Sequence, residues 1–386
     1  MTAYKLRKPS IVFVDREAER DEITEKVLQR LPQSRIVYLD QSGDPISERG
    51  FFGDYGTLSA SEIFNLGKDS LLLTRHKGSW LRSCPGTSNH VCCNLWTVDL
   101  GEGCPMDCTY CYLQTYLRRN PTNKIFTNIG DMVDEIKFRT QSEPNRLFRI
   151  CTGEVIDSLV WDGLTDVSLS LIPVFAQLPN AILELKTKTN QIDNILSMRA
   201  EHRGSTVISW SVNAPSIVES DEAFTATLSE RISAAGRAVE AGYRVGFHFD
   251  PIVHFDGWRD GYREVIQRIF STVKPEEIAW ISISSLRYQK GLQSVMQERF
   301  PNSRLPFGDQ FVASDQKLRY IQPLRFQLLS FVWGELKRIS PSLPVYMCME
   351  SGAGWRTIAG GAPAAGSELA EVFSRRGKLP IHGQMK

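Results

Sequence analysis

The sequence contains no apolar run that approaches the ~18–20 residues needed to span a bilayer. Its first residues, MTAYKLRKPSIVFVD, have no apolar stretch followed by a small-residue cleavage site, so they do not resemble a secretory signal. Lys and Arg (45) nearly balance Asp and Glu (44), and a net charge of +1 gives no global attraction to nucleic acid. These absences predict a cytoplasmic protein without a membrane partner. They are compatible with DNA binding, because that requires only a local basic groove.

Cysteine, by contrast, is present eight times, and its spacing is informative. Cys104, Cys108 and Cys111 form a C-x3-C-x2-C run within GEGCPMDCTYCYLQTYL. In a 386-residue chain with three thiols in a ligand spacing, reduced cysteines are favoured over a disulfide framework. Three thiolates can bind three corners of a [4Fe–4S] cube and leave one iron open to another ligand. A zinc site completed by a cysteine of the preceding CPGTSNHVCC segment is the alternative, although zinc sites usually combine two separate pairs.

Short apolar runs that alternate with amphipathic stretches predict an α/β protein. PSIVFVD, residues 16–31 and RIVYLD are predicted to form a β-α-β unit, and residues 41–95 to be mostly irregular. Further strands are predicted at NLWTVDL, RLFRICT, ILELKTK, TVISWSV, RVGFHFDPI and IAWISISS. Helices are predicted near residues 129–140, 164–177, 191–201, 225–241, 257–272 and 324–339. This alternation indicates parallel βα repeats, wound into an open sheet or curled towards a barrel.

The same pattern predicts the division of the chain. We expect an N-terminal β-α-β domain with a connecting segment over residues 1–94, and a main unit with C-terminal substrate-binding elements over residues 95–350. The Gly- and Ala-rich stretch GAGWRTIAGGAPAAGS predicts that residues 351–386 form a loop-rich tail.

Functional groups of βα repeats collect at the carboxyl ends of the strands, and two groups fall there in this sequence. The three cysteines follow the first predicted strand of the main unit. The second predicted strand, RLFRICT, ends at Cys151 and leads into Thr152, Gly153 and Glu154. A Gly-Glu pair can bring backbone and carboxylate close to a ligand ammonium group, although a turn with a solvated Glu is the ordinary interpretation. Cys151 could likewise be a buried apolar residue or a hydrogen-atom donor.

The cysteine run, with Tyr110 before its last member, resembles the cluster motif of radical S-adenosylmethionine (SAM) enzymes. Thr152-Gly153-Glu154 is similar to the element that binds the SAM amino group in that superfamily. Beyond it, the chain resembles the spore photoproduct lyase family across about residues 10–350. The matching segments are CTYCYLQTYL, LKTKTNQID, SVNAPS, AGYRVGFHFDPIVHFDGWRDGY and ERFPNSRL.

The resemblance implies a partial (β/α)6 TIM-like barrel of the radical SAM type, with a [4Fe–4S] cluster and SAM as cofactors. It implies a DNA repair lyase in which a 5′-deoxyadenosyl radical takes hydrogen from C6 of a thymine-dimer photoproduct. Cys151 falls where the family places the thiol that returns hydrogen. The implied partners are DNA carrying a damaged thymine pair and an electron donor such as a flavodoxin or ferredoxin. A radical SAM enzyme with another substrate and a non-catalytic, metal-stabilised nucleic-acid-binding protein are the alternatives.

Further site residues follow from the resemblance one at a time. Lys188, Ser211 and Asn213 fall on family positions that hold SAM, although each could equally be a strand-end polar residue. Asp250 could bind the adenosine or cap a strand. Tyr110 and Tyr112 flank Cys111 and could stack on adenine, relay hydrogen to the thiol radical, or pack around the cluster. Tyr110 and Tyr112 are therefore catalytic candidates.

Candidate DNA contacts occur in three groups of cationic and aromatic residues, because such side chains neutralise phosphates and stack on bases. They are Arg118 with Arg119 and Lys124; Arg287, Tyr288 and Lys290; and Lys317, Arg319, Tyr320 and Arg325. Each group alone is more often a solvated charged surface. A dinucleotide lesion would have to leave the duplex to reach a site inside a barrel.

The sequence departs from the pattern of the spore enzyme at two places. The spore enzyme is associated with a Ser-Asp pair after its thiol, whereas this sequence has Thr152-Gly153-Glu154 there. The segment VYMCMESGAGWRTIAGG resembles non-sporulation relatives of the family. Cys348 in the latter segment is a second candidate hydrogen donor or a core residue. The sequence does not assign a role to CPGTSNHVCC beyond packing beside the cluster or binding a metal.

Overall fold

A computed structural model describes residues 6–39, 58–86, 90–117 and 120–361 of the chain. Its strands are β1 (Ile11–Asp15), β2 (Arg35–Leu39), β3 (Ser70–Thr74), β4 (Arg82–Ser83), β5 (His90–Val91), β6 (Trp96–Thr97), β7 (Gly101–Glu102), β8 (Asp107–Cys108), β9 (Asn123–Phe126), β10 (Phe148–Cys151), β11 (Ala181–Thr187), β12 (Thr206–Ser211), β13 (Glu222–Ala223), β14 (Arg244–Ile252), β15 (Ile278–Ser285), β16 (Arg287–Gln289), β17 (Gln310–Val312), β18 (Lys317–Tyr320), β19 (Val345–Met347) and β20 (Glu350–Ser351).

The α-helices are α1 (Glu22–Arg30), α2 (Ala60–Lys68), α3 (Leu113–Tyr116), α4 (Ile129–Ser142), α5 (Asp162–Thr165), α6 (Val167–Ala176), α7 (Asp193–Ser197), α8 (Pro215–Asp221), α9 (Leu228–Glu240), α10 (Trp258–Thr272), α11 (Lys290–Arg299), α12 (Gln322–Ile339) and α13 (Gly352–Ala359). Short 3-10 helices cover Arg16–Ala18, Ala200–Ser205, Pro275–Glu277 and Leu305–Phe307. In the described part of the chain no helix is long and apolar enough to cross a membrane.

The main sheet has eight strands in the order β19-β15-β14-β12-β11-β10-β6-β4. From β6 to β19 the strands run parallel and follow one another in space as they do in the chain, while β4 pairs antiparallel with β6. The connections between successive strands carry helices, and the central strands are almost entirely buried, as expected for a parallel sheet covered on both faces. This is the curled α/β half-barrel that the sequence predicts, and all six carboxyl ends of its predicted strands meet at one edge.

A second sheet of five strands, in the order β2-β1-β3-β9-β7, forms around the N-terminal β-α-β unit. Strands β1, β2, β3 and β9 are parallel, and β7 is antiparallel to β9. Strands β7 and β9 come from beyond residue 94, so this sheet extends past the boundary predicted from the sequence. Because β7 precedes the three cysteines and β9 follows them, the cysteine segment is a loop that starts and ends on the N-terminal sheet.

Two expectations about irregular structure are wrong. The segment 41–95 contains helix α2, which begins with a capping box: the Glu62 amide donates to Ser59 Oγ (3.2 Å) and the Ser59 amide to Glu62 Oε2 (2.8 Å). The predicted tail contains helix α13, because Ser351 Oγ accepts the Gly354 amide (3.1 Å) and Trp355 is buried against the core. The prediction for residues 362–386 lies outside the described residues.

Candidate active site

The cysteine loop is held from two sides by hydrogen bonds to distant segments. Strand β8 pairs antiparallel with β13, so that Cys108 faces Glu222, and the Thr109 amide donates to the Asp221 carbonyl (2.9 Å). From helix α11, Arg299 Nη2 donates to Asp107 Oδ2 (2.9 Å). These contacts fix the loop on the protein before any ligand binds, as a preorganised metal site requires.

Two of the three cysteines contact a small apolar cluster. Cys108 is buried, and the half-buried Cys104 and Cys111 pack against Leu113, Leu117 and Val155. Burial raises the pKa of Cys104 to about 12 and raises the pKa values of Cys108 and Cys111, so the free thiols are protonated at neutral pH. Binding of a metal would release these protons.

The three cysteines provide three thiols on one loop. In a cube each thiolate binds a different iron, so three thiols at this spacing fit three corners of a [4Fe–4S] cluster. Over residues 6–39, 58–86, 90–117 and 120–361, no three His, Cys, Asp or Glu side chains form a group that could hold a single metal ion.

Cys151 ends strand β10 at the edge where the cysteine loop lies. Its side chain is 3% exposed, and Sγ accepts the Gly153 amide at 3.4 Å. Cys151 pairs in register with Glu184 of β11. Burial and the neighbouring Glu184 carboxylate raise the pKa of the Cys151 thiol to about 12. The group therefore keeps its S–H bond at neutral pH, which a hydrogen-atom donor needs.

The residues after Cys151 form a tight turn. A Cβ at Gly153 would lie 2.7 Å from Ser158 Oγ and 3.2 Å from the Lys186 carbonyl oxygen, so only glycine fits there. The Thr152 side chain is buried and its amide donates to the Glu184 carbonyl (3.3 Å). The Tyr112 hydroxyl donates to the Glu154 carbonyl oxygen (2.7 Å), which joins the cysteine loop to this turn.

Lys188 and Tyr110 meet at a buried carboxylate that the sequence interpretation missed. Lys188 Nζ lies 2.9 Å from Glu222 Oε1 and 3.0 Å from the Tyr110 hydroxyl, which itself donates to Glu222. Arg231 pairs with the other Glu222 oxygen at 2.7 Å. Burial alone would raise the pKa of Glu222, but Lys188 and Arg231 bring it down to about 2. Burial and Glu222 raise the pKa of Tyr110.

Ser211 and Asn213 lie together at the end of β12, where the Asn213 side chain forms hydrogen bonds inside the protein. Asn213 Nδ2 donates to the Pro251 carbonyl (3.0 Å), and its Oδ1 accepts from the Tyr262 hydroxyl (2.8 Å). The Ser211 carbonyl accepts from Arg231 Nη1 (2.9 Å). The structure thus brings both residues to the predicted edge, and their role toward SAM stays a prediction.

Asp250 at the end of β14 forms an ion pair with Arg287, whose Nη1 lies 3.0 Å from Asp250 Oδ1. Burial acts to raise the pKa of Asp250, but Arg287 outweighs it and the pKa lies below its usual range. The ion pair thus joins a predicted cofactor residue to a predicted DNA contact, and both roles stay predictions.

The family model described as spore photoproduct lyase matches residues 88–320, more than half of the chain. The chain belongs to the spore photoproduct lyase family. The spore photoproduct lyase of Bacillus subtilis (strain 168) is 27% identical over 221 residues, which cover 56% of this chain and 63% of that protein. That of Geobacillus sp. (strain Y412MC61) is 28% identical over 215 residues, 54% of this chain and 62% of that protein. The matched segment therefore spans less than two thirds of the length of these two relatives.

Solved structures of spore photoproduct lyase share the fold. A mutant with bound AdoMet and dinucleoside spore photoproduct superimposes with a TM-score of 0.75 at 21% identity, over 89% of this chain and 99% of that one. A complex with dinucleoside spore photoproduct gives the same TM-score and identity, over 89% of this chain and all of that one. At this identity the likeness shows the fold.

Several residues that were predicted to contact DNA are buried and form hydrogen bonds or ion pairs within the protein. Arg319 is 3% exposed and its Nη2 lies 2.6 Å from Asp315 Oδ2. Tyr320 is equally buried, and its hydroxyl accepts the His254 amide (3.0 Å). Both stabilise the small antiparallel sheet β16-β18-β17. Contact with DNA would require these bonds to open.

The remaining DNA candidates differ in exposure. Lys290 is exposed at the start of α11, and half-buried Lys317 places Nζ 3.7 Å from Met349 Sδ. Arg118 lies outside the described residues. Among the candidates in the described part of the chain, Lys290 is therefore the most accessible to a phosphate.

A buried polar network beneath Cys151 was also missed. Glu184 accepts hydrogen bonds from Arg149 (2.7 Å), Ser209 (2.7 Å), His248 (2.8 Å) and Trp280 (2.8 Å). Burial lowers the pKa of His248 to about 4, so His248 is neutral and donates from Nε2 to the carboxylate. The sequence does contain a signal for this network: RLFRICT and ILELKTK have charged residues in the middle of apolar strands, and a buried charge needs a partner.

The other four cysteines lie near the Cys151 edge. Strand β5, which immediately precedes Cys92 and Cys93, pairs antiparallel with β20 just after Cys348. A hydrogen bond from Cys93 lowers the pKa of Cys92 to about 6, whereas burial raises the pKa of Cys348 to about 11 and raises that of Cys84. Their role stays open between packing and chemistry.

Proposed function

We propose that the protein is a radical SAM lyase that reverses a thymine-dimer photoproduct in DNA, with Cys151 as the hydrogen donor. The observation that carries the proposal is the buried, protonated Cys151 at the strand edge that also holds the cysteine loop and the Gly153 turn. Family membership supports it, as does the fact that related lyases are solved with AdoMet and dinucleoside spore photoproduct bound.

The cofactor sites follow from the same edge. Cys104, Cys108 and Cys111 would hold a [4Fe–4S] cluster, because their donor set and apolar packing fit it. The turn Thr152-Gly153-Glu154 and Lys188 would hold SAM, whose ammonium and carboxylate need an acceptor and a cation respectively. When bound, the cluster and SAM supply an adenosyl radical that takes a hydrogen atom from the lesion.

The chain's own residues then finish the reaction. After the methylene bridge of the lesion breaks, one thymine carries an unpaired electron. The Cys151 S–H bond breaks, its hydrogen atom forms a C–H bond on that thymine, and the unpaired electron remains on Cys151 Sγ. Because Cys151 is 3% exposed, the exchange is shielded from water.

The partners follow from this chemistry. An electron donor such as a flavodoxin or ferredoxin would reduce the cluster, and the lesion would leave the duplex to reach the strand edge. Lys290, which is exposed at the start of helix α11, would contact a phosphate of the DNA. A cytoplasmic location, which keeps thiols reduced, would suit eight cysteines and an oxygen-sensitive site.

Anaerobic reconstitution tests the proposal. The protein should bind four irons and cleave SAM when dithionite is added, and it should convert a synthetic spore-photoproduct dinucleotide into thymidylyl-thymidine. Colourless protein that binds zinc and leaves SAM intact would contradict a radical enzyme. Consumption of SAM without repair of the dinucleotide would contradict the lyase assignment and leave a radical enzyme with another substrate.

A further inference from the structure

The C-terminal end of helix α2 lies directly against the base of the cysteine loop. A Cβ at Gly67 would lie 2.5 Å from the carbonyl carbon of Pro121, so the helix backbone touches the loop backbone. Asn123 Nδ2, on the first residue after the loop, donates to the Lys68 carbonyl at 3.1 Å. The last residue of α2 is therefore fixed in position relative to the loop.

The Lys68 side chain extends from this helix end into the loop. It is 3% exposed, and Nζ donates to the Cys104 carbonyl oxygen at 2.5 Å and to the Met106 carbonyl oxygen. Its ammonium also lies 5.7 Å from the centre of the Phe64 ring. The two carbonyl oxygens accept hydrogen bonds from the Lys68 ammonium and the ring packs against it, but none of these groups carries a negative charge that would neutralise it.

No carboxylate offsets the Lys68 charge at ion-pair distance within residues 6–39, 58–86, 90–117 and 120–361. The other cations near the loop differ in this respect. Lys188 is paired with Glu222 at 2.9 Å, and Arg299 with Asp107 at 2.9 Å. A buried charge without a counter-ion destabilises the folded protein, so an uncompensated lysine at this place points to an anion that the loop binds.

The loop's own ligands supply that anion. A [4Fe–4S] cube with three thiolates has a net negative charge, and reduction makes it more negative. In a buried site a fixed positive charge stabilises the reduced form more than the oxidised one.

We propose that Lys68 is a positioning residue for the cluster, which fixes the cysteine loop through two carbonyls and raises the reduction potential of the bound [4Fe–4S] centre. The inference rests on the proposed cluster. Lys68 lies outside the family match over residues 88–320, so the match gives it no role. The N-terminal unit thereby contributes directly to the chemistry of the half-barrel.

The test compares Lys68→Met, which removes the charge at similar length, with Lys68→Arg, which keeps it. Lys77→Met is the matched control, because it removes a charge from the same unit at an exposed ion pair with Glu17. Each holoenzyme is reconstituted anaerobically, its iron is counted, and its midpoint potential is measured by an EPR-monitored redox titration. Lys68→Met should shift the potential to a more negative value, whereas Lys68→Arg and Lys77→Met should stay close to the parent protein.

The iron content and the potential of Lys68→Met also distinguish the other outcomes. A Lys68→Met holoenzyme with full iron and an unshifted potential overturns the proposal. Folded Lys68→Met protein that loses iron, while Lys68→Arg keeps it, supports it, because the charge is then needed to hold the anionic centre. If Lys68→Met does not fold, Lys68→Gln replaces it, and failure of both neutral variants to fold as apoprotein makes Lys68 a fold residue and overturns the proposal. Failure of the parent protein to bind four irons would instead refute the proposed function.

Discussion

The Lys188 ammonium lies 2.9 Å from Oε1 of Glu222, and both side chains are largely buried beside the cysteine loop. Glu222 belongs to the strand that faces Cys108 across the β8–β13 ladder. One carboxylate therefore connects the loop that would hold the cluster with a lysine that would hold SAM. It also receives Arg231, so two cations depend on it.

The first prediction concerns the stability that Glu222 provides. Glu222→Gln removes the charge that offsets Lys188 and Arg231 and should lower the free energy of unfolding by about 3–5 kcal/mol, because two buried cations lose their counter-ion. Urea unfolding of the apoprotein followed by circular dichroism measures the change. Glu143→Gln, at an exposed ion pair with Arg146, is the matched control and should change the free energy of unfolding far less, because water screens this pair.

The same pair predicts a pH dependence. The pKa of Glu222 lies at about 2 in the folded protein and at 4.5 ordinarily, so the folded state binds its proton less readily than the unfolded state does. The stabilisation from Glu222 is therefore complete above about pH 5 and is lost as pH falls toward 2. Between these pH values the parent protein should lose more stability than Glu222→Gln. Parallel pH curves for the two proteins would contradict the buried ion pair.

Sequence patterns predicted the parallel strands of the main sheet, and the family resemblance predicted that they curl into a partial barrel. RVGFHFDPI and IAWISISS coincide with β14 and β15, since runs of apolar and β-branched residues can be buried on both faces of a parallel sheet. Helix α13 was missed because its Gly-rich start suggests a loop, and the helix depends on the Ser351 cap and on burial of Trp355, whose ring contacts Trp333. Local composition does not reveal such a tertiary contact.

In the candidate site, sequence reasoning found residues that follow strand ends and missed their partners. Cys151, Gly153 and Lys188 were identifiable by position and resemblance. Glu222 lies 34 residues from Lys188 in a segment without a motif, and Lys68 lies 36 residues before Cys104 in the N-terminal unit. Ion pairs and carbonyl contacts over such separations depend on the folded chain.

A second site prediction concerns Gly153. Gly153→Ala places a Cβ within 2.7 Å of Ser158 Oγ and 3.2 Å of the Lys186 carbonyl, so the turn must shift. We expect a loss of about 1–3 kcal/mol in stability and weaker binding of SAM, measured by urea unfolding and by equilibrium dialysis with labelled SAM. Gly130→Ala is the control, because nothing lies within 4 Å of its Cβ position in helix α4, and it should bind SAM like the parent. Unchanged SAM binding by Gly153→Ala would argue against the turn as part of the SAM site.

The free thiols should differ in reactivity. Cys92 has a pKa of about 6 and is half-buried, whereas Cys151, with a pKa of about 12, is buried. Because the thiolate is the nucleophile, iodoacetamide at pH 7.5 should modify Cys92 first and leave Cys151 intact in the folded holoenzyme. Peptide mass spectrometry reads both sites, and modification of Cys151 as fast as Cys92 would contradict these environments.

The last prediction addresses the role of Cys151 directly. Cys151→Ala removes the S–H bond but leaves the cysteine loop and the Lys188–Glu222 pair in place, so the holoenzyme should still bind four irons and cleave SAM on reduction. Without a thiol to return hydrogen, the thymine radical should be quenched by other species. The yield of thymidylyl-thymidine from a spore-photoproduct dinucleotide should therefore fall at least ~10-fold, with new adducts visible by liquid chromatography and mass spectrometry. Cys348→Ala, at a thiol with a pKa of about 11 directly after strand β19, is the matched control and should repair the dinucleotide normally. Faithful repair by Cys151→Ala together with loss of repair by Cys348→Ala would transfer the hydrogen-donor role to Cys348.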